Sequence, residues 1–366
     1  MSSVWLPCGD YHQNYGEDQG WWQTTFLKSK MILLLLITFM VIPLMLPGYW
    51  ISVATMVGYT AMGALGVQLL IGYTGLITLG HSAFIAVGAY TSTMLVLQFP
   101  WPQVLVDAGL AYPISILAAG IVAGLWSVLF GLPSAKVKGF YLILTTMAAQ
   151  FITVDFILTQ YVSQIGGRGQ AFSLPPGTIK IGPWVIESEV RIYYVMAVML
   201  TLMVIVLANL LRSKPGRAWV AIRDNDIAAE ALGINIVWYK LLAFFVAGFM
   251  AGMAGAFWVC NTAALSPEHF TWGWSLWLVG VILIGGVGSI HGAIFGSIFM
   301  VVIMELLQMV VIPMGDYYPE LLMGFTYIKD MAFGLAICGF LIYEPNGLAY
   351  RWWQAKNYFN LWPFSY

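Results

Sequence analysis

The sequence predicts an all-α, polytopic membrane protein of about ten transmembrane or half-transmembrane helices with both termini cytoplasmic. Three observations carry that prediction. Of 366 residues, 60% are hydrophobic and 8% charged, where an ordinary soluble domain carries charge on about a quarter of its residues. Uncharged apolar stretches recur along most of the chain, at lengths that span or nearly span about 30 Å of hydrocarbon. The basic residues cluster in alternate loops.

The first three stretches are Met31–Leu46, Tyr49–Ile71 and Leu79–Leu97. Tyr112–Leu132, Phe140–Tyr161, Ile192–Leu211 and Leu241–Thr262 follow, then Trp274–Gly286, Gly292–Ile312 and Met331–Tyr343. The eighth and tenth are short for a full crossing, so one of them is expected to be a half-helix. Trp50, Trp101, Trp184, Trp272, Trp352 and Trp353 lie near span ends, where an indole prefers the headgroup layer.

With the N-terminus cytoplasmic, alternating crossings place Lys28, Lys30, Lys136, Lys138, Arg212, Lys214, Arg217, Arg223, Lys240, Arg351 and Lys356 inside. Arg168, Lys180, Arg191 and Lys329 fall outside. That bias is what the positive-inside rule requires, and moving the count by one crossing destroys it. The expected organisation is a cytoplasmic extension over 1–30, a transmembrane domain over 31–348 and a cytoplasmic tail over 349–366. Within the domain, 162–191 forms an outer loop and 212–240 a cytoplasmic loop with the densest charge. The polar first 30 residues, with Asp10, Glu17 and Asp18, lack the pattern of a cleavable signal peptide.

A net charge of −1 provides no basic surface for nucleic acid. Cys8, Cys260 and Cys338 are scattered, suggesting neither a disulfide framework nor a metal site. There is no GxxxxGK[ST] phosphate loop, no HExxH and no Ser-His-Asp spacing, so the chain is not read as an enzyme and carries no cofactor of its own. Energy for any transport then comes from a partner or an ion gradient.

In the cytoplasmic loop, Pro215-Gly216 interrupts the incoming span and a short helix follows. Asp224 and Asp226 suit its positive N-terminal end, Ile227, Ala228 and Leu232 offer apolar contact, and Gly233 is a stop. Ala229, Glu230 and Ala231 complete it. Periodicity alone is equally compatible with a helix lying at the headgroup layer, held by Arg212, Lys214, Arg217 and Arg223.

A weak internal echo links Gly72–Phe84 (GYTGLITLGHSAF) to Gly285–Gly296 (GGVGSIHGAIFG). Glycines in paired apolar segments point to broken helices beside a solute path, or to close helix packing through small residues. Gly72, Gly75, Gly80 and His81 in the first copy, and Gly285, Gly286, Gly288 and His291 in the second, are the candidate path residues. The histidines are not assigned to a metal. Asp155 and Glu305 are ionisable groups within spans, where a buried charge is costly; Asp155 is close enough to the outer end to face water or serve the path, and Glu305 with Gln308 suits either a cavity lining or a hydrogen bond to a neighbouring helix.

Gly216–Gly255 resembles the EAA-type cytoplasmic loop of ABC-importer permeases, in the form seen in branched-chain amino acid permeases. Further segments resemble that family in the same order: Gly72–Tyr90, Gly131–Met147, Gln164–Phe172, Leu265–Phe270, Leu283–Ser297 and Glu344–Leu348. The resemblance favours the larger, M-type subunit. Departures are Arg168 and Gln170 in the outer loop, Glu344 where the family tends to have Arg, the Met1–Lys30 extension and a long Pro313–Lys329 loop.

The resemblance implies an importer of branched-chain amino acids or a similar small solute in a bacterial-type inner membrane. It implies a second homologous permease, two cytoplasmic ATP-binding subunits that hold ATP-Mg, an extracytoplasmic solute-binding protein and surrounding lipid. In that scheme Asp226–Leu232 is the ATPase-coupling helix. The alternatives are a secondary transporter or channel, and a structural membrane subunit.

Overall fold

A computed structural model describes residues 32–135, 139–162, 172–173, 180–182, 184–185, 188–262, 264–315 and 324–361. The Met1–Lys30 extension, Lys136, Lys138, Arg168 and Gln170 lie outside them.

Ten membrane-type helices appear where the ten apolar stretches fall. They are α1 (Ile32–Met45), α2 (Gly48–Tyr73), α3 (His81–Leu97), α5 (Ala111–Ala135), α6 (Phe140–Gln150, continued by Phe151–Val162) and α7 (Glu189–Arg212). After the loop come α10 (Ile236–Thr262), α11 (Trp272–Gly285), α12 (Ile290–Gly315) and α13 (Phe325–Tyr343). Shorter helices are α4 (Gln103–Asp107), α8 (Lys214–Asp224), α9 (Asp226–Ala231) and α14 (Leu348–Leu361). Seven of the described helices are long and apolar enough to cross a membrane, and α1 and α3 are shorter apolar helices. At about 1.5 Å per residue the 14-residue α11 covers about 21 Å, short of a full crossing, as is the described stretch of α1, Ile32–Met45. The tenth, α13, has 19 residues and is long and apolar enough to cross.

The middle of the bundle is α2 and α10, each 78% buried over its most apolar window, whereas α13 lies at the edge, with no residue fully buried and Phe333, Ile337 and Phe340 half-buried against the core. α10 packs along α5, α3 and α2. Lipid tails are as apolar as Leu, so hydrophobicity does not drive these helices together; small residues let their backbones approach. A Cβ on Gly88 of α3 would lie 2.3 Å from the Gly252 Cα of α10, and one on Gly252 would lie 2.6 Å from the Ala119 carbonyl of α5. The buried Ser127 hydroxyl donates to the Phe244 carbonyl at 2.6 Å. Glu305 accepts a hydrogen bond from the Tyr49 hydroxyl, joining α12 to the start of α2. Lys329 donates to Gln308 at 3.4 Å.

Two short antiparallel pairs lie in the connections. β1 (Phe172–Ser173) pairs with β4 (Ala264–Leu265), just beyond the end of α10, and β2 (Lys180–Ile181) with β3 (Trp184–Val185).

Candidate functional site

The 212–240 loop holds two helices where the sequence suggested one. Pro215 sits in the first turn of α8, where its missing N–H costs no intrahelical bond, so it starts a helix as well as ending α7. Gly216, Ala218, Trp219 and Ile222 form the buried face of α8. The indole Nε1 of Trp219 donates to the Tyr239 carbonyl at 2.8 Å, fixing α8 to the first turn of α10.

Asn225 separates α8 from α9 and is the N-cap: its Oδ1 accepts from the Ala228 N–H at 3.2 Å. Asp226 is in the first turn of α9 as expected. Asp224 differs from expectation. It ends α8, and its Oδ1 accepts from Nε and Nη2 of Arg223 at 3.1 and 3.0 Å. The stop is as read: Gly233 has φ +82°, the Gly233 N–H donates to Glu230, and the Ile234 N–H reaches back to Ala229. Those two bonds are a Schellman closure.

Ala229 is the buried residue of α9. Ile227 is 72% and Leu232 81% exposed, with Ala228, Glu230 and Ala231 also exposed. An adjoining groove of 360 Å³ is lined by Glu230, Gly233, Ile234, Asn235, Ile236 and Val237. The loop thus presents a short, capped helix with two large apolar side chains turned away from the fold.

Gly72, Gly75, Gly285, Gly286 and Gly288 meet at this same end of the bundle, whereas Gly80 lies against the Thr146 carbonyl of α6. A Cβ on Gly72 would lie 2.6 Å from the Gly288 nitrogen, and one on Gly285 would lie 1.9 Å from the Gly292 carbonyl. The buried Gln68 amide donates to the Gly286 and Ser289 carbonyls at 3.1 and 2.9 Å. A Cβ on Gly347, in the turn before α14, would lie 2.5 Å from the Gly286 nitrogen. Beside that turn Glu344, the departure from the family pattern, accepts from Arg351 Nε at 2.6 Å. Gly75 adopts φ +71° against Arg223, whose Nη1 donates to the Gly72 carbonyl at 2.8 Å. These glycines therefore make close backbone contacts in the conformation described. The two histidines part company: His81 is fully buried beside Gly66, while His291 is exposed on α12.

A second feature was not read from the sequence. From Leu265 the chain leads back to a buried polar junction at the start of α3. The Ser82 N–H donates to Ser275 Oγ at 2.9 Å, the Ser275 hydroxyl donates to Ser82 Oγ at 2.8 Å, and Ser82 Oγ lies 2.8 Å from Gln150 Oε1 and 3.0 Å from the Thr271 carbonyl. Gln150 Nε2 donates to the Phe270 carbonyl at 2.7 Å. Trp258, Phe270 and Trp274 pack around it in edge-on and tilted contacts, with ring centroids 5.2 to 5.9 Å apart. Irregular backbone at membrane depth is tolerated where protein satisfies its polar groups, and here Gln150 and the two serines do so. Asp155 is exposed on α6 and takes no part in the junction. Leu265–Phe270 was marked only by resemblance; its Ser-Pro-Glu-His composition at the end of an apolar span was the available signal.

The sequence profile of the branched-chain amino acid transport system permease component matches residues 49–331. The high-affinity branched-chain amino acid transport system permease protein LivM of Salmonella typhimurium is 28% identical over 88% of this chain and 75% of its own length, and that of Escherichia coli K12 gives the same figures. The autoinducer 2 import system permease protein LsrC of Salmonella paratyphi B is 26% identical over 87% of this chain and 85% of its own length. No solved structure matches.

Proposed function

The chain belongs to the family of permease components of branched-chain amino acid transport systems, and from that premise we propose that it imports a branched-chain amino acid or similar small solute, driven by ATPases that dock on α9. It is a multi-pass membrane permease of the ABC transporter class, and its relatives are transport proteins rather than enzymes.

The observation that carries the coupling assignment is α9 itself, a capped helix bearing exposed Ile227 and Leu232 in the most charged loop of the chain. Such apolar groups on a fixed short helix suit a protein partner better than water. In this reading two ATP-binding subunits hold ATP-Mg. Their closure displaces residues 224–233, and the attached spans re-orient a path shared with a second homologous permease. A solute-binding protein delivers cargo from the opposite side. Both termini are cytoplasmic, in an inner membrane. α14 packs against α11 and α12 beside Gly286, at the loop's end of the bundle, which agrees with a C-terminus on the ATPase side. Of the path residues, Gly72, Gly75, Gly285, Gly286 and Gly288 would then mark the closed cytoplasmic part of that route, with Gly80, His81 and His291 lying off that contact.

The solute is assigned by likeness to the LivM proteins; the LsrC relatives carry a different solute in their name. Co-purification of the tagged chain with its ATPase tests the reading. An ATPase retained by the wild-type chain, with hydrolysis stimulated by solute and binding protein, supports it, and a chain that purifies alone and transports refutes it.

A further inference from the structure

Arg223 bonds the coupling loop to the glycine-rich junction of two membrane helices. It is the second-last residue of α8, three positions before α9 begins. Its Nη1 donates to the Gly72 carbonyl, in the last turn of α2, at 2.8 Å. The last carbonyls of a helix have no intrahelical partner and carry partial negative charge, so a guanidinium is well matched to that place. The same nitrogen would lie 3.5 Å from a Cβ at Gly288, so one side chain spans both halves of the junction. Asp224 holds the other edge of the guanidinium.

Independently of Arg223, Gln68 stitches the two halves together through the Gly286 and Ser289 carbonyls. Its Oε1 is buried and has no hydrogen-bond partner. The amide thus uses its donors in this closed arrangement and leaves its acceptor unmet, a cost that separation of the halves and entry of water would relieve. The Gly72–Gly288 approach is backbone on backbone, with no side chain to yield gradually, so it is either closed or apart.

From these contacts we infer that Arg223 is the positioning residue that transmits displacement of α9 to the junction of Gly72 with Gly286–Ser289, and that this junction is the cytoplasmic gate of the path. The inference rests on the coupling role proposed above. Trp219 anchors the body of α8 to α10, so a push on α9 turns α8 about that anchor and moves Arg223 at its far end. The charged hydrogen bond then draws the end of α2 with it.

The test uses the complete transporter in proteoliposomes, with solute uptake and ATP hydrolysis measured on the same preparation for wild type, Arg223→Ala, Arg223→Lys and Arg217→Ala. Arg217 is an exposed arginine of the same helix that bonds the Arg212 carbonyl instead. Arg223→Ala is expected to keep its ATPase subunits and hydrolyse ATP while uptake per ATP falls about tenfold, within the usual range of coupling between sites. Arg223→Lys is expected between wild type and Ala, since an ammonium still donates to Gly72 but lacks the planar fork that also engages Asp224. Arg217→Ala is expected to match wild type. A wild-type ratio in Arg223→Ala, or loss of the ATPase from both Arg223 variants, overturns the inference while the coupling role of α9 stands. A wild-type complex without ATP-driven uptake removes the premise, and the inference with it.

Discussion

Replacing Ile227 and Leu232 together by serine should release the ATPase while leaving the permease folded. Both side chains are largely exposed, 72% and 81%, so the bundle gains little from them and the expected change in its own stability is within about 0.5 kcal/mol. Docking gives them somewhere to be buried. Full burial of such a side chain is worth about 1.5–3 kcal/mol. Taking the lower end for each, because rims of interfaces stay wet, the pair loses about 3 kcal/mol, or on the order of a hundredfold in affinity. The assay is co-purification of ATPase with the tagged chain, beside a thermal melt of the permease in detergent. Ala229 is unsuitable for this purpose: it is 1% exposed, so a carboxylate placed there disrupts the chain's own packing. Undiminished ATPase in the double variant, or a melting temperature lowered by several degrees, would refute the reasoning.

Gly80→Val should abolish recovery of folded protein, because a Cβ there would lie 2.0 Å from the Thr146 carbonyl, whereas Gly334→Ala on α13, with nothing within 4 Å, should be neutral; fluorescence-detected size exclusion separates the two. Gly233→Ala meets no atom but must hold φ +82°, so about 1–2 kcal/mol of backbone strain is expected. Amide exchange of α9 should rise accordingly, with the rest of the bundle unaltered. Gln150→Leu leaves the Phe270 carbonyl without its donor inside the bundle, and a loss of about 1–2 kcal/mol is expected in a reversible unfolding assay in mixed micelles. Unchanged stability there would mean that water already serves the junction.

The membrane helices were legible because lipid imposes one rule on every span: about twenty apolar residues with few charges. All ten stretches became helices, and α2 begins directly after Pro47. The loop was legible in part. Asp224, Asn225 and Asp226 are each competent N-caps, and local sequence does not choose among them. The choice follows from Trp219, which docks α8 in a register that leaves Asn225 as the break. Arg223 reads from sequence as one more cation for the headgroups, and its bond to a carbonyl 151 residues away is invisible to any local pattern. The Ser82–Gln150–Ser275 junction was missed for the same reason, since its members are ordinary polar residues in apolar spans until the fold brings them together.

The central claim is that this chain moves solute only at the expense of ATP hydrolysed by its partners. Uptake of radiolabelled leucine into proteoliposomes holding both permeases and the ATPases, with binding protein and leucine outside and ATP inside, tests it most directly, repeated after ionophores have collapsed every ion gradient. The account predicts accumulation that requires ATP and binding protein and is indifferent to the ionophores. Accumulation by this chain alone that follows a proton or sodium gradient, and continues without ATP, would contradict it.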